Sequence, residues 1–181
     1  MTIPDLLVLL PFGAAVVLAF APSWRVAAYL NAAVASVAFL LACTLPWHVG
    51  PGAGLLLVDA LAAHWALLSA FVMMTASWFS LFHVPDEAAW RGRARLFPAA
   101  YQGLAGGTLL ALLSDNLGLA WIGMEVATGS ATLLVGLPLR GKSVLAAWRL
   151  FVVCGVGLTV ALLGTVLMDG AAFPALGSGA A

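Results

Sequence analysis

An all-α, polytopic membrane helix bundle is the fold class this sequence predicts, and three observations predict it. Of the 181 residues, 64% are hydrophobic and only 8% are charged. A soluble domain carries about 25% charged residues, so there are too few here to coat a globule. The apolar residues fall into runs of about twenty, the length of helix that crosses a hydrocarbon core of roughly 30 Å. The charged residues collect between the runs, with the cations in alternate gaps.

In chain order the predicted spans are roughly 3–22, 26–46, 55–82, 96–113, 116–138 and 144–168. Together they make one transmembrane domain, residues 1–168, followed by a flexible tail, 169–181. The opening MTIPDLLVLLPFGAAVVLAFAPSWR lacks the basic flank of a signal peptide and its apolar run is too long for one, so it is read as a retained span. The third run is long enough to tilt or protrude, and the fourth is near the short limit. Asp115 and Asn116 begin the fifth run, where either can cap a helix. The tail, DGAAFPALGSGAA, is rich in small residues.

The loops fix an expected orientation. Arg25 lies in the first loop, Arg91, Arg93 and Arg95 in the third with Asp86 and Glu87, and Arg140 and Lys142 in the fifth. The second and fourth loops and the tail contain no Lys or Arg. The positive-inside rule therefore puts the cationic loops in the cytoplasm and both termini on the periplasmic side. An even number of spans also requires both termini on one side, so the span count and the charge bias agree. The expected location is the cell inner (cytoplasmic) membrane, multi-pass, with the lipid bilayer as solvent.

Several function classes are excluded. Lys+Arg and Asp+Glu balance at 7 each, and no basic–aromatic patch is present, so no nucleic-acid partner is expected. Cys43 and Cys154 fall in apolar runs without metal or redox spacing. His48, His64 and His83 lie at three different depths, too few and too scattered for two bis-His haems. No nucleophile–base pair, paired catalytic carboxylates or phosphate-binding loop is visible. The chain is read as having no catalytic site, cofactor or metal of its own; any enzyme activity would belong to a larger complex.

The candidate site is built around Glu125, near the middle of SDNLGLAWIGMEVATGSATLLVGLPL. A charge at that depth costs roughly 2.5–3.5 kcal/mol on insertion scales, which makes it a functional residue by default. Its helical face carries Gly118, Trp121, Ile122, Thr128, Gly129, Thr132 and Gly136, a small and hydroxyl-bearing surface expected to pack closely into protein. A carboxyl in apolar surroundings favours its neutral form and one beside a cation its charged form, so a group poised between the two exchanges protons. Arg149, in LAAWRLFVVCGVG, is the second intramembrane charge. Its expected depth is about 10 Å from that of Glu125, near enough to tune the carboxyl through a water; the competing reading is an Arg that snorkels to the surface. Asp59 lies near the outer boundary of the third run, where a carboxylate is cheap. His64 lies deeper, as a packing residue or, because imidazole titrates near physiological pH, a further proton station.

Three stretches carry a family resemblance: LLVDALAAHWALLSAF, SDNLGLAWIGMEVATGSATLLVGL and SVLAAWRLFVVCGVGLTVALLGTVLM. They resemble the N-terminal part of the antiporter-like membrane subunits of complex I, Mrp antiporters and group 4 hydrogenases, and most closely the hydrogenase-4 component F branch. The resemblance implies that Glu125 matches the family's proton-path glutamate on its fifth helix and Asp59 the acidic residue early in the third. Arg149 stands where related subunits usually carry Lys, and because Arg does not deprotonate, its role narrows to electrostatic control. Family members continue into a broken helix with a key lysine and a second inverted repeat.

Two functions follow from the resemblance. In the first, the chain is a membrane-arm, proton-translocation-related subunit of a complex I-like or group 4 hydrogenase-like oxidoreductase. Its partners would be the other membrane subunits, with a separate chain supplying the further helices. In the second, it is a reduced structural or assembly subunit of such a complex with no pumping of its own.

Overall fold

The computed structural model of the protein describes residues 2–51, 55–83, 93–94 and 96–177. Among the described residues there are six α-helices: α1 (Ile3–Ala19), α2 (Trp24–Ala42), α3 (Ala60–His83), α4 (Leu96–Leu113), α5 (Leu117–Gly136) and α6 (Gly141–Gly177). Five of them, α2 to α6, are long and apolar enough to cross a membrane. α1 has 17 residues, at the lower end of the spanning range, and holds a buried Pro11. The chain is thus a multi-pass membrane helix bundle, in line with its composition. Arg91, Arg95, Asp86 and Glu87, on which part of the orientation rests, lie outside the described residues, as do 178–181 of the expected tail.

Two boundaries differ from the sequence reading, each for a local reason. The third run was expected to be helical from 55, but α3 begins at Ala60. Asp59 ends the extended approach: its carboxylate accepts from the Ala62 N–H at 2.5 Å and its carbonyl from the Ala63 N–H at 2.9 Å, an N-cap. Before it, Leu57–Val58 pairs antiparallel with Gly50–Pro51 as a pair of two-residue strands, β2 with β1. At the other end, α6 continues past the expected limit at 168 to Gly177. Gly170, two residues beyond Met168, does not take the positive-φ conformation that would stop it sooner.

The core lies among α1 to α4. Leu7 and Val8 of α1, Ala38 and Ala42 of α2, Ala63, Ala66 and Ala70 of α3, and Leu109 and Leu113 of α4 form one buried cluster with Leu45 and Val58. α2 is inserted by an alanine stripe, Ala27, Ala28, Ala32, Ala35, Ala38 and Ala42, whose small side chains let three neighbours approach it. α5 packs on the far side of α4, and α6 packs chiefly on α5. These last two helices therefore bury little of their surface.

Contacts at the ends fix which loops share a side. The Asp115 N–H donates to the Leu55 carbonyl at 3.0 Å, and Leu56 bridges Ser114, so the α2–α3 and α4–α5 connections meet at one end. At the opposite end Trp24 packs edge-on against Phe97, at 6.2 Å between ring centres. The helices alternate in direction, so Arg25, Arg93, Arg140 and Lys142 all lie at that second end.

Candidate functional site

α5 is held at its start and on two sides, and these attachments place Glu125. Its start is fixed by Asn116, whose side-chain oxygen accepts from the Gly118 and Leu119 N–H groups at 2.8 and 3.3 Å. One side meets α4 at backbone distance. A methyl group on Gly123 would lie 2.6 Å from the Ala111 nitrogen, and one on Gly103 only 2.7 Å from the Ser130 hydroxyl oxygen. The α4-facing surface of α5 is thus Gly123, Ala127 and Ser130. The close packing expected on the Glu125 face lies instead on nearly the opposite face, and Gly129 borders open space.

The Glu125 side of α5 is turned to α6. The Trp121 indole N–H donates to the Leu158 carbonyl at 3.2 Å, and Gly136 lies against Ala147. These two contacts fix an antiparallel register that puts Glu125 level with residues 154–158 of α6. On α5, one face carries Trp121, Glu125, Thr128, Thr132 and Gly136. Glu125 is half-buried on that face. Below it, the Thr132 hydroxyl donates to the Thr128 carbonyl at 2.9 Å.

Arg149 does not enter this seam. The stripe of α6 that faces α5 is Ser143, Ala147, Leu150, Cys154, Leu158, Leu162 and Thr165, spaced three and four apart and each at least half-buried. Arg149 follows Ala147 by two residues, which at 100° each carries it to the far side of the helix. It is exposed there. Along the axis it is also displaced from Glu125 by about 10 Å. Among the described residues no ion pair joins the two.

Asp59 and His64 stand apart from Glu125, on α3. Asp59 is exposed and occupied as the N-cap described above. His64 is exposed one turn further in, and its Nδ1 lies 2.5 Å from the Ala60 carbonyl oxygen, four residues back. Because a carbonyl oxygen only accepts, Nδ1 is the donor in that bond. Asp59 shares the Asp115 end of the bundle, but α4 and α5 lie between α3 and the α5–α6 seam. Among the described residues no group of three His, Cys, Asp or Glu side chains is placed to hold a metal ion.

The structure adds a polar pair that the sequence reading passed over. Gln102 of α4 donates from Nε2 to the Asn31 side-chain oxygen at 2.9 Å and to its backbone carbonyl at 3.2 Å. Both residues are fully buried, and Asn31 Nδ2 has no partner. The available signal was an amide within each of two otherwise apolar runs; attention to charged residues alone missed it.

Comparison with known proteins agrees with the resemblance. The chain is 33% identical over 178 residues to a hydrogenase-4 component F homolog of Methylacidiphilum infernorum (isolate V4). The match takes in 96% of this chain and 37% of that protein, so the chain spans well under half the length of its relative. No protein-family model matches the chain, and no solved structure matches it significantly.

Proposed function

We propose that this chain, which fits the N-terminal part of an antiporter-like membrane subunit, serves as a membrane subunit of a group 4 hydrogenase-like complex, with Glu125 as an intramembrane proton-path residue. The observation that carries the reading is the identity to a hydrogenase-4 component F homolog along 96% of the chain. Glu125 adds the chemistry. It is a carboxyl in the middle of a span, half-buried on the face that meets α6, and that face also carries Thr128 and Thr132. Partner membrane subunits would complete the bundle on the little-buried side of α5 and α6. The gathering of Arg25, Arg93, Arg140 and Lys142 at one end supports an inner-membrane orientation with that end in the cytoplasm and Asp115 outside.

The test is Glu125→Gln in the assembled complex. The carboxamide keeps the shape and removes the titrating proton. Proton translocation, followed with a pH-sensitive dye in inverted vesicles, is expected to fall at least tenfold while the complex still co-purifies. Normal translocation by this variant would remove the chemical half of the reading.

A second reading, a structural or assembly subunit with no pumping, draws on one observation. Arg149 faces away from Glu125, which leaves the carboxyl without a cation among the described residues. On that reading Glu125→Gln is silent and truncation of the Arg91–Arg95 loop prevents co-purification of partners.

A further inference from the structure

The seam between α5 and α6 opens at the Asp115 end into a cleft of about 450 Å³. Asp115, Asn116, Leu117 and Gly118 form one wall, and Leu162, Thr165 and Val166 the other. The wall chemistry is that of a wet site. It holds a carboxylate, a side-chain amide and a hydroxyl that donates to the Leu162 carbonyl at 2.8 Å and keeps its own oxygen free to accept. A bound water needs two to four polar partners and about 30 Å³, so this cleft accommodates several.

One turn deeper, the Trp121 indole N–H is committed to the Leu158 carbonyl, which closes the seam. One further turn along the same face lies Glu125. Asp115, the cleft, the Trp121–Leu158 bridge and the Glu125 carboxyl therefore follow one another down a single groove between two helices. We propose that the cleft is an aqueous vestibule for Glu125 and that the Trp121 indole is its floor. Water and hydronium fill the cleft; displacing one side chain, at the cost of one hydrogen bond, extends the water file to the carboxyl. The proposal rests on the reading of Glu125 as a proton-path residue, and it names the side from which that residue is reached.

Thiol labelling of the full chain in native membranes tests it, with a charged, water-soluble methanethiosulfonate as the probe. In a background lacking Cys43 and Cys154, Thr165→Cys and Leu162→Cys are expected to react at least tenfold faster than Leu163→Cys. Leu163 lies at the same depth and is 58% exposed on the outward face of α6. The native Cys154, on the α5-facing stripe within about one turn of the level of Glu125, reports on the floor. With Cys43→Ala alone it is expected to react slowly, and Trp121→Ala is expected to raise its rate at least tenfold. Fast labelling at Thr165→Cys in the same Trp121→Ala chain shows that the seam is still folded. Equal rates at positions 162, 163 and 165 overturn the vestibule, and a Cys154 rate indifferent to Trp121 overturns the floor. Labelling reports access and not transport. A vestibule that labels as expected while Glu125→Gln pumps normally would sink the proton-path reading and leave the cleft standing.

Discussion

Gly107 and Gly123 face each other across α4 and α5 with only backbone between them. A methyl group on Gly107 would sit 2.8 Å from the Gly123 carbonyl oxygen and 2.6 Å from the Ala127 nitrogen; one on Gly123 would sit 2.8 Å from the Gly107 carbonyl oxygen. Lipid tails are as apolar as leucine side chains, so helices in a bilayer associate through close packing of this kind. Gly107→Ala or Gly123→Ala must push the helices apart, because the obstructing atoms are backbone and cannot rotate away. Overpacking costs about 1–3 kcal/mol, and each variant is expected to lose that much in detergent-denaturant unfolding. Gly129→Ala, with nothing within 4 Å, is the control and should be neutral or gain about 0.5–1 kcal/mol in helix propensity.

The buried amide pair predicts an asymmetry. Gln102→Leu leaves the Asn31 side-chain oxygen unpaired beside an Nδ2 that already has no partner, and a buried orphan group costs about 1–3 kcal/mol. Asn31→Val removes the orphan donor and leaves Gln102 its bond to the residue-31 carbonyl, so it should cost less. The double variant should be better than the sum of the two, since neither amide is then stranded. Equal and additive costs in the same unfolding assay would contradict the assigned hydrogen bonds.

How legible these features were depends on the range of the interaction that creates them. The helix bundle follows from apolar run length, a local property, and was readable throughout. So was the Asn116 cap, which joins groups two and three residues apart. Which residues share a helical face with Glu125 also followed from the 3.6-residue period. What packs against that face did not: periodicity offered Gly129 as a close-packing glycine, whereas Gly123 meets α4, because register between helices is set by pairs on different helices, beyond the reach of a local period. Arg149 shows the same limit. Its depth could be counted from the end of its run, but its side of α6 is defined only by the Trp121–Leu158 and Gly136–Ala147 contacts. The start of α3 is not legible, because an apolar run such as LLLV carries no sign of where strand gives way to helix.

Asp59 separates two roles that both use a carboxylate. As an N-cap it accepts from the Ala62 N–H, and Asn performs that task equally well. Asp59→Ala is expected to cost about 0.5–2 kcal/mol of stability, and Asp59→Asn close to nothing. If Asp59 also belongs to a proton path, Asp59→Asn will lower translocation in the complex while its unfolding curve is unchanged. A side chain that only caps the helix will show wild-type translocation as Asn.

Arg149 provides the sharpest contrast with Glu125. Facing away from α5 and axially displaced by about 10 Å, its guanidinium is separated from the carboxyl by the body of α6. At an effective dielectric constant of about 20, unit charges 10 Å apart interact by less than about 2 kcal/mol. Its side chain is long enough to run along the exposed surface of α6 toward the Arg140 end of the helix, where a cation meets lipid headgroups. Arg149→Gln is therefore expected to leave proton translocation within about twofold of wild type, and Arg149→Lys to be indistinguishable from it. Both substitutions are measured in the same vesicle assay as Glu125→Gln. A loss in Arg149→Gln comparable to that in Glu125→Gln, restored by Lys, would mean that the guanidinium reaches the seam in the assembled complex. A partner helix would then have to turn α6 about its axis.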